Sequence, residues 1–210
     1  MGRPPSEHPG RMSSEQYCWL LVDDFVEEFN EHMIQAFGPS EHICVDESIS
    51  RWLYGQGGHW TNMGLPMYVA IDRKPENGCE IQNATCGQYG FMLRLKLVKT
   101  AAEESTTTQV HNESLLHGTA VLKFLVSSWR FSGRIVYADS YFSSVGAAEE
   151  LQRNGLKFIG VVKTATKKYP MANLQALELQ GRGDRRGLVA RDAEGNPSLI
   201  ACVWMDRERR

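Results

Sequence analysis

Hydrophobic residues recur at every fourth position between residues 17 and 37, and acidic residues fill much of the remaining surface. A repeat of this length brings the apolar side chains onto one face of a helix. The pattern therefore predicts an amphipathic helix over Tyr17–Phe37 that packs on a core and ends at Gly38. Its apolar row consists of Leu21, Phe25, Phe29 and Met33.

Two short apolar runs each end on a carboxylate. His42–Val45 leads to Asp46, and Ile135–Ala138 leads to Asp139. Each run predicts a buried strand that presents its aspartate at the carboxyl end, where α/β sheets place their chemistry. Taken alone, Asp139 is more simply explained as a cap of the following turn.

The recurrence of this arrangement favours a functional pair. Carboxylates at the ends of neighbouring strands repel one another unless a cation lies between them. Mg²⁺ is typically held by one or two carboxylates together with substrate phosphates. Asp46 and Asp139 are therefore candidate metal ligands.

The remaining pattern alternates strands and helices. Residues 91–99 alternate strictly between apolar and largely basic positions, which predicts a half-buried antiparallel strand with a basic outer face. The order β-β-β-α-β-α-β predicts an α/β fold with an early antiparallel meander. Besides the two strands that carry the aspartates, the predicted segments are strands Leu65–Ile71 and Phe91–Lys99, a turn at Arg73–Gly78, a crossover helix Leu115–Trp129, a helix Val145–Asn154 and a strand Phe158–Lys163. Cys79–Ala84 is a candidate short strand outside this order.

Two basic segments follow the last of these strands. The first carries Lys163, Lys167 and Lys168, and precedes a predicted helix over Met171–Leu179. The second is the Gly-rich stretch 180–187 with Arg182, Arg185 and Arg186, which leads into a hairpin of Leu188–Arg191 and Leu199–Trp204. Each segment is either a solvated turn or a contact for DNA phosphates, and the residues alone leave both interpretations open.

Charge, cysteine spacing and hydropathy limit the classes of protein to which this chain can belong. The 210-residue chain has a formal net charge of −2, so any affinity for DNA must come from local basic patches. Its five cysteines lack metal-binding spacing and indicate reduced thiols in a nuclear or cytoplasmic protein rather than a secreted one. No apolar run is long enough to span a bilayer. Residues 1–16 have the composition of a disordered lead.

Five motifs in order resemble the transposase domain of the piggyBac family. The resemblance covers residues 23–210, with Tyr169 in place of the family's usual Leu. It implies an RNase H-like mixed five-stranded sheet with flanking helices, incomplete at the C-terminus, whose core spans about residues 42–165 within a partial domain at 17–210. The motifs are Asp46-Glu47-Ser48, Lys74-Pro75 with Gly78, the segment from Asp139 to Ser144, the basic segment Gly160–Pro170, and Val203-Trp204-Met205-Asp206.

The resemblance also implies a chemistry. Asp46 and Asp139 correspond to two catalytic aspartates that bind Mg²⁺ or Mn²⁺ for DNA cleavage and strand transfer, with transposon DNA and a second copy of the chain as expected partners. The family's third aspartate lies in a Gly-Val-Asp-like segment beyond the Trp-x-Asp strand, and the printed sequence stops before it. A catalytically incomplete transposase domain is therefore expected, with a domesticated DNA-binding or protein-interaction module, or a decayed element, as alternatives.

Neither of two nearby acids is expected to replace the third aspartate. Glu47 directly follows Asp46, so on a strand its side chain is expected to point to the opposite face of the sheet. Asp206 ends a different strand, and the family's Trp-x-Asp acid is not catalytic.

Overall fold

The structure is a computed structural model that describes residues 14–51, 69–71, 74–98, 115–163 and 166–206. The predicted lead up to residue 13 and the first part of the strand predicted at 65–71 lie outside these ranges. The helices are α1 (Ser14–Ala36), α2 (His117–Leu125), α3 (Val145–Arg153) and α4 (Met171–Gln175). The strands are β1 (His42–Arg51), β2 (Val69–Ile71), β3 (Lys74–Cys86), β4 (Met92–Leu97), β5 (Ile135–Ala138), β6 (Lys157–Gly160), β7 (Arg185–Arg191) and β8 (Pro197–Trp204).

The main sheet has the order β2-β3-β1-β5-β6, and β4 also pairs with β3. β1 runs antiparallel to β3 and parallel to β5, and β5 runs parallel to β6. Apart from the three-residue β2, this is the mixed five-stranded sheet expected from the sequence. β7 and β8 form a separate antiparallel hairpin.

β3 is longer than the sequence pattern predicts. The residues 74–78, expected to form a turn, are its first part, because they pair with β2, and Gly78 also pairs with Arg51 at the end of a longer β1. Asp46 therefore lies within β1 rather than at its end, although the pairing of β1 with β5 stops one residue earlier, at Val45. A long antiparallel partner outweighs the local preference for a turn.

The hydrophobic core lies between one face of the sheet and the helices α2 and α3. Ile43, Val45 and Val136 point into it from the central strands and are at most 2% exposed. Burying each such side chain contributes roughly 1.5–3 kcal/mol. The helices contribute Leu122, Leu125, Ala147 and Leu151 to the same cluster.

β4 is covered on both sides, which corrects the predicted basic outer face. Lys96 is only 8% exposed, and the Arg94 guanidinium packs 4.0 Å from the centre of the Phe124 ring in α2. On the free edge of β4, the Asn30 amide of α1 donates to the Leu95 carbonyl at 2.9 Å and accepts from its N–H at 2.8 Å. This contact satisfies backbone groups that an open edge would leave unpaired.

The other predicted elements differ mainly in length. α1 begins at Ser14, inside the predicted lead, whereas α2 and α4 are shorter than expected and a 3-10 turn at Ser127–Trp129 follows α2. β7 begins at Arg185, so part of the predicted Gly-rich loop is strand. No helix among the described residues has the length and hydropathy needed to cross a membrane.

A buried carboxylate joins the two helices that cover the core. Glu150 of α3 is 5% exposed and lies 2.5 Å from the Lys123 ammonium of α2 and 2.6 Å from the Arg153 guanidinium. Burial by itself would raise the pKa of Glu150, but hydrogen bonds and charges from Lys123, Asn154 and Arg153 lower it below the ordinary 4.5. The network therefore favours the ionised form.

Replacing Glu150 with Gln should destabilise the fold by about 1–3 kcal/mol at neutral pH, because the Lys123 ammonium loses its partner. The lowered pKa means that the carboxylate's contribution is fully present above pH 4.5 and is lost as the pH falls through the lower folded value. Urea unfolding between pH 3 and 7 should therefore show a shallower acid-side loss for Glu150→Gln. Parallel pH profiles for the variant and the parent would contradict this assignment.

Candidate active site

Asp46 and Asp139 occupy matching positions on neighbouring parallel strands. The last residues paired between β1 and β5 are Val45 and Ala138, and each aspartate is the next residue of its chain segment. Val45 points into the core, whereas both aspartates are exposed and line one cavity. The predicted neighbouring position of the two strands is thus confirmed, and the register brings both carboxylates to the same opening.

The Asp139 carboxylate is fixed by the turn that follows β5. Its Oδ1 accepts a hydrogen bond from the Tyr141 N–H at 2.8 Å, and its carbonyl accepts one from the Ser143 N–H at 3.1 Å. Phe142, 1% exposed, anchors this turn in the core. The capping interpretation is therefore correct for Asp139, and it is compatible with ligand binding because a carboxylate has two oxygens.

The turn also packs closely against its neighbours. The Ser143 hydroxyl donates to the Ala138 carbonyl at 3.2 Å. A Cβ on Gly160 of β6 would collide with that hydroxyl, and a Cβ on Gly118 of α2 would lie 2.7 Å from the Tyr141 carbonyl. Two glycines thus allow β6 and α2 to hold the segment that carries Asp139.

Glu47 is the residue that sequence reasoning excluded from the site. Its pKa is raised to about 7, first by burial and then by the Asp139 charge, a hydrogen bond with Asp46 and the charges of Asp46 and Glu80. Glu47 thus interacts electrostatically with both aspartates, while its exclusion as a third catalytic acid stays a prediction. The pairing of β1 with β5 ends at Val45, two residues before Glu47.

The acidic edge carries several carboxyl groups close to one another. Among the described residues, no lysine or arginine forms an ion pair with Asp46, Glu47 or Asp139. Carboxylate oxygens are the donors that hard divalent cations prefer, so the donor chemistry of this edge fits such an ion. The described part of the chain contains no group of three His, Cys, Asp or Glu side chains arranged around a metal position.

A cavity of about 590 Å³ adjoins the two aspartates. The end of β6, helix α4 and strand β8 supply its largely apolar wall, and Trp204 of β8 is 63% exposed there. The Tyr169 hydroxyl donates to the Cys202 carbonyl at 3.2 Å and so ties the segment before α4 to the hairpin. The wall residues come from distant parts of the sequence: Ile159, Gly160, Val161, Val162, Tyr169, Met171, Leu174, Cys202, Val203 and Trp204.

The predicted basic residues are exposed in the structure. Lys163 directly follows the cavity wall, whereas Lys167 and Lys168 belong to the connection to α4. Lys168 lies 4.0 Å from the Glu149 carboxylate. Arg182 lies in the loop before β7, and Arg185 and Arg186 begin that strand.

One of the strand arginines is partly engaged with its own neighbours. Arg186 lies 3.8 Å from the Asp184 carboxylate and donates to the Arg185 carbonyl at 2.9 Å. These contacts are exposed, so they leave Arg186 accessible to a ligand. The basic residues therefore form two exposed groups, of which the Lys163 group adjoins the cavity.

The sequence profile of the transposase IS4 family matches residues 14–209. The chain belongs to the transposase IS4 family. No curated protein matches it. A cryo-EM structure of the piggyBac transposase synaptic complex with hairpin DNA resembles it, with a TM-score of 0.66 and 16% sequence identity.

The structural likeness covers 92% of this chain but only 38% of the piggyBac transposase chain. Together with the family match, it confirms the predicted piggyBac-type transposase domain and its α/β fold. At 16% identity the likeness establishes the fold alone. Transposases of this family act with divalent metal ions on DNA, while the roles of individual residues here stay predictions.

Replacing Gly160 with Ala should disturb the turn that carries Asp139, because the added methyl group displaces the Ser143 hydroxyl from the Ala138 carbonyl. Overpacking of this kind costs about 1–3 kcal/mol. Thermal unfolding and the amide NMR signals of residues 139–143 measure the effect. Gly195→Ala is the control, because a Cβ there meets no atom within 4 Å. The φ of +85° at Gly195 is unfavourable for Ala, so this variant should lose some stability without disturbing the turn. Unchanged turn signals in Gly160→Ala would contradict the packing described.

Proposed function

We propose that Asp46 and Asp139 form two of the metal-binding carboxylates of a DNA-cleaving transposase site. The observation that supports this proposal is the register between β1 and β5, which carries both carboxylates to one cavity. The absence of cationic partners among the described residues at this edge adds to it. Mg²⁺ or Mn²⁺ is the ion expected for such oxygen donors.

A divalent cation at this edge would supply Lewis-acid stabilisation of charge on a phosphodiester. The protein's own contribution is positional. The Tyr141 N–H fixes one oxygen of Asp139, and the Glu47 N–H fixes one oxygen of Asp46 at 2.8 Å. Both contacts pre-orient the carboxylates before a ligand arrives, which reduces the reorganisation needed on binding.

Glu47 adds a proton-carrying group beside the aspartates. With a pKa of about 7 its carboxyl is protonated in a substantial fraction of molecules at neutral pH. In that state it hydrogen-bonds to Asp46 and does not add to the negative charge of the edge. The two aspartates thus remain the principal charged donors.

A non-catalytic role is the second candidate. The exposed basic groups at Lys163–Lys168 and Arg182–Arg186 would allow the domain to hold DNA without cutting it. We infer that DNA is the partner in either case. Free thiols at Cys44, Cys86 and Cys202 favour the proposed nuclear or cytoplasmic location. The formation of a dimer and the catalytic incompleteness of the chain stay predictions.

Calorimetry should detect weak Mg²⁺ or Mn²⁺ binding to the 210-residue chain, and Asp139→Asn should weaken it at least tenfold, or about 1.4 kcal/mol. Asp192→Asn is the matched control. Asp192 is an exposed aspartate in the β7–β8 turn whose hydrogen bonds to the Glu194 and Asn196 N–H groups an Asn oxygen can replace. Equal metal affinity in the two variants would remove the Asp46–Asp139 site.

The same proteins should be assayed for nicking of supercoiled DNA with Mn²⁺. We expect no cleavage above background from the parent chain, since two carboxylates give a weak metal site. Robust cleavage that disappears in Asp139→Asn would support the site and contradict the expected incompleteness. Cleavage that persists in Asp139→Asn would contradict the proposed chemistry.

Replacing Arg182, Arg185 and Arg186 together with Ala should weaken DNA binding equally for unrelated sequences. Each lost phosphate contact should also reduce the log–log salt dependence by about 0.9. Gel-shift titrations at several salt concentrations measure both quantities. Lys157→Ala, which removes an exposed cation on β6, is the control. A triple variant indistinguishable from the parent would exclude this segment from DNA binding.

A further inference from the structure

Arg94 is held at the corner where α2 ends. Its Nη1 donates to the Phe124 carbonyl at 3.0 Å and to the Ser127 hydroxyl at 2.5 Å, while the guanidinium stacks on the Phe124 ring. An arginine that binds the last carbonyls of a helix stabilises the helix end, which explains its orientation. These contacts fix the guanidinium plane against the protein.

The same guanidinium keeps unused donor capacity. Its Nη2 makes no hydrogen bond to the described residues and is not among the buried polar atoms, whereas its Nε is buried without a partner. No carboxylate in the described part of the chain forms an ion pair with Arg94. A half-buried arginine without a counter-ion is uncommon, because burial of an unpaired charge costs free energy.

A second arginine lies beside the first. Arg130 directly follows the 3-10 turn that contacts Arg94, and it is exposed and has no ion pair with a described residue. Burial, followed by the Arg130 charge, lowers the pKa of Arg94. The exposed Ser128 hydroxyl lies 3.4 Å from Arg94 Nη1 at the same corner. Two guanidinium groups and a hydroxyl thus lie at one corner, and no carboxylate among the described residues forms an ion pair with either guanidinium.

The Glu150 carboxylate of α3 is already engaged. The corner adjoins the end of α3, where the Phe131 N–H donates to the Asn154 carbonyl at 2.8 Å. Glu150 lies in this region, but both of its oxygens are paired, one with Lys123 and the other with Arg153. Glu150 therefore does not neutralise the positive charge of Arg94 and Arg130.

We propose that Arg94, Arg130 and Ser128 form a binding site for a backbone phosphate of DNA. Guanidinium groups and hydroxyls are the side chains that most often contact phosphate oxygens, and such contacts position a duplex without reading its sequence. The choice of DNA rests on the proposed function above. Arg94 contacts α2 on the helix-covered side of the sheet, whereas Asp46 and Asp139 line the cavity. The bound phosphate is thus distinct from the one that reacts.

Arg130→Gln tests the site without removing the helix contacts of Arg94. Anisotropy of a labelled 20-base-pair duplex should show weaker binding for unrelated sequences and a log–log salt dependence lower by about 0.9. Lys157→Gln is the matched control, because it also removes one exposed positive charge. Arg94→Lys, which keeps the charge but loses the planar fork, should weaken binding as well. If Arg130→Gln behaves like Lys157→Gln, the site is wrong.

NMR of the arginine Nε–H groups separates DNA from free phosphate as the ligand. DNA should shift the Arg94 and Arg130 signals at concentrations where inorganic phosphate of equal ionic strength has no more effect than chloride. Shifts with phosphate but not with DNA would overturn the proposal. Asp139→Asn should leave the DNA-induced shifts of Arg94 and Arg130 unchanged. The experiment therefore tests the phosphate site independently of the proposed metal site.

Discussion

The parallel pairing of β1 with β5 is the interaction on which the candidate site depends. Its register places Val45 opposite Ala138, so the next residues, Asp46 and Asp139, reach the same cavity. A slip of one residue would send one of these carboxylates toward the core face, where an unpaired charge is costly. The core residues Ile43 and Val136, opposite each other on the two strands, hold this register by being fully buried.

The two sides of the sheet around Asp46 and Asp139 have different roles, since one stabilises the fold and the other carries the candidate site. On the helix-covered face, apolar packing and the Glu150 network join α2 to α3. At the cavity, carboxylates lie without cationic partners among the described residues, and burial together with their charge raises the pKa of Glu47. Concentrated like charge costs folding free energy, and its retention at one edge is typical of a site that binds a cation.

At the end of α2 the charge is positive, and an arrangement of unpaired positive charge is typical of a site that binds an anion. Arg94 is oriented by a helix end and an aromatic ring, and Arg130 lies beside it without a carboxylate partner in the described structure. An acidic edge and a basic corner therefore coexist in a chain whose formal net charge is only −2. The net charge of such a protein does not indicate which ions or partners it binds, because the fold separates its charges into local regions that act at short range.

The sequence by itself determined the helix α1, the strands that carry Asp46 and Asp139, the helix between β5 and β6, and the membership of a transposase family. Local periodicity and motif order were sufficient for these features. Tertiary structure decided the rest. It extended β3 through residues 74–78 by pairing with β2 and, at Gly78, with β1; it buried Lys96 and coupled Glu47 electrostatically to Asp139. It also brought Arg94 to the 3-10 turn that precedes Arg130. These features depend on contacts between segments that are distant in the sequence. Such contacts could not be predicted because they leave no periodic pattern in the chain.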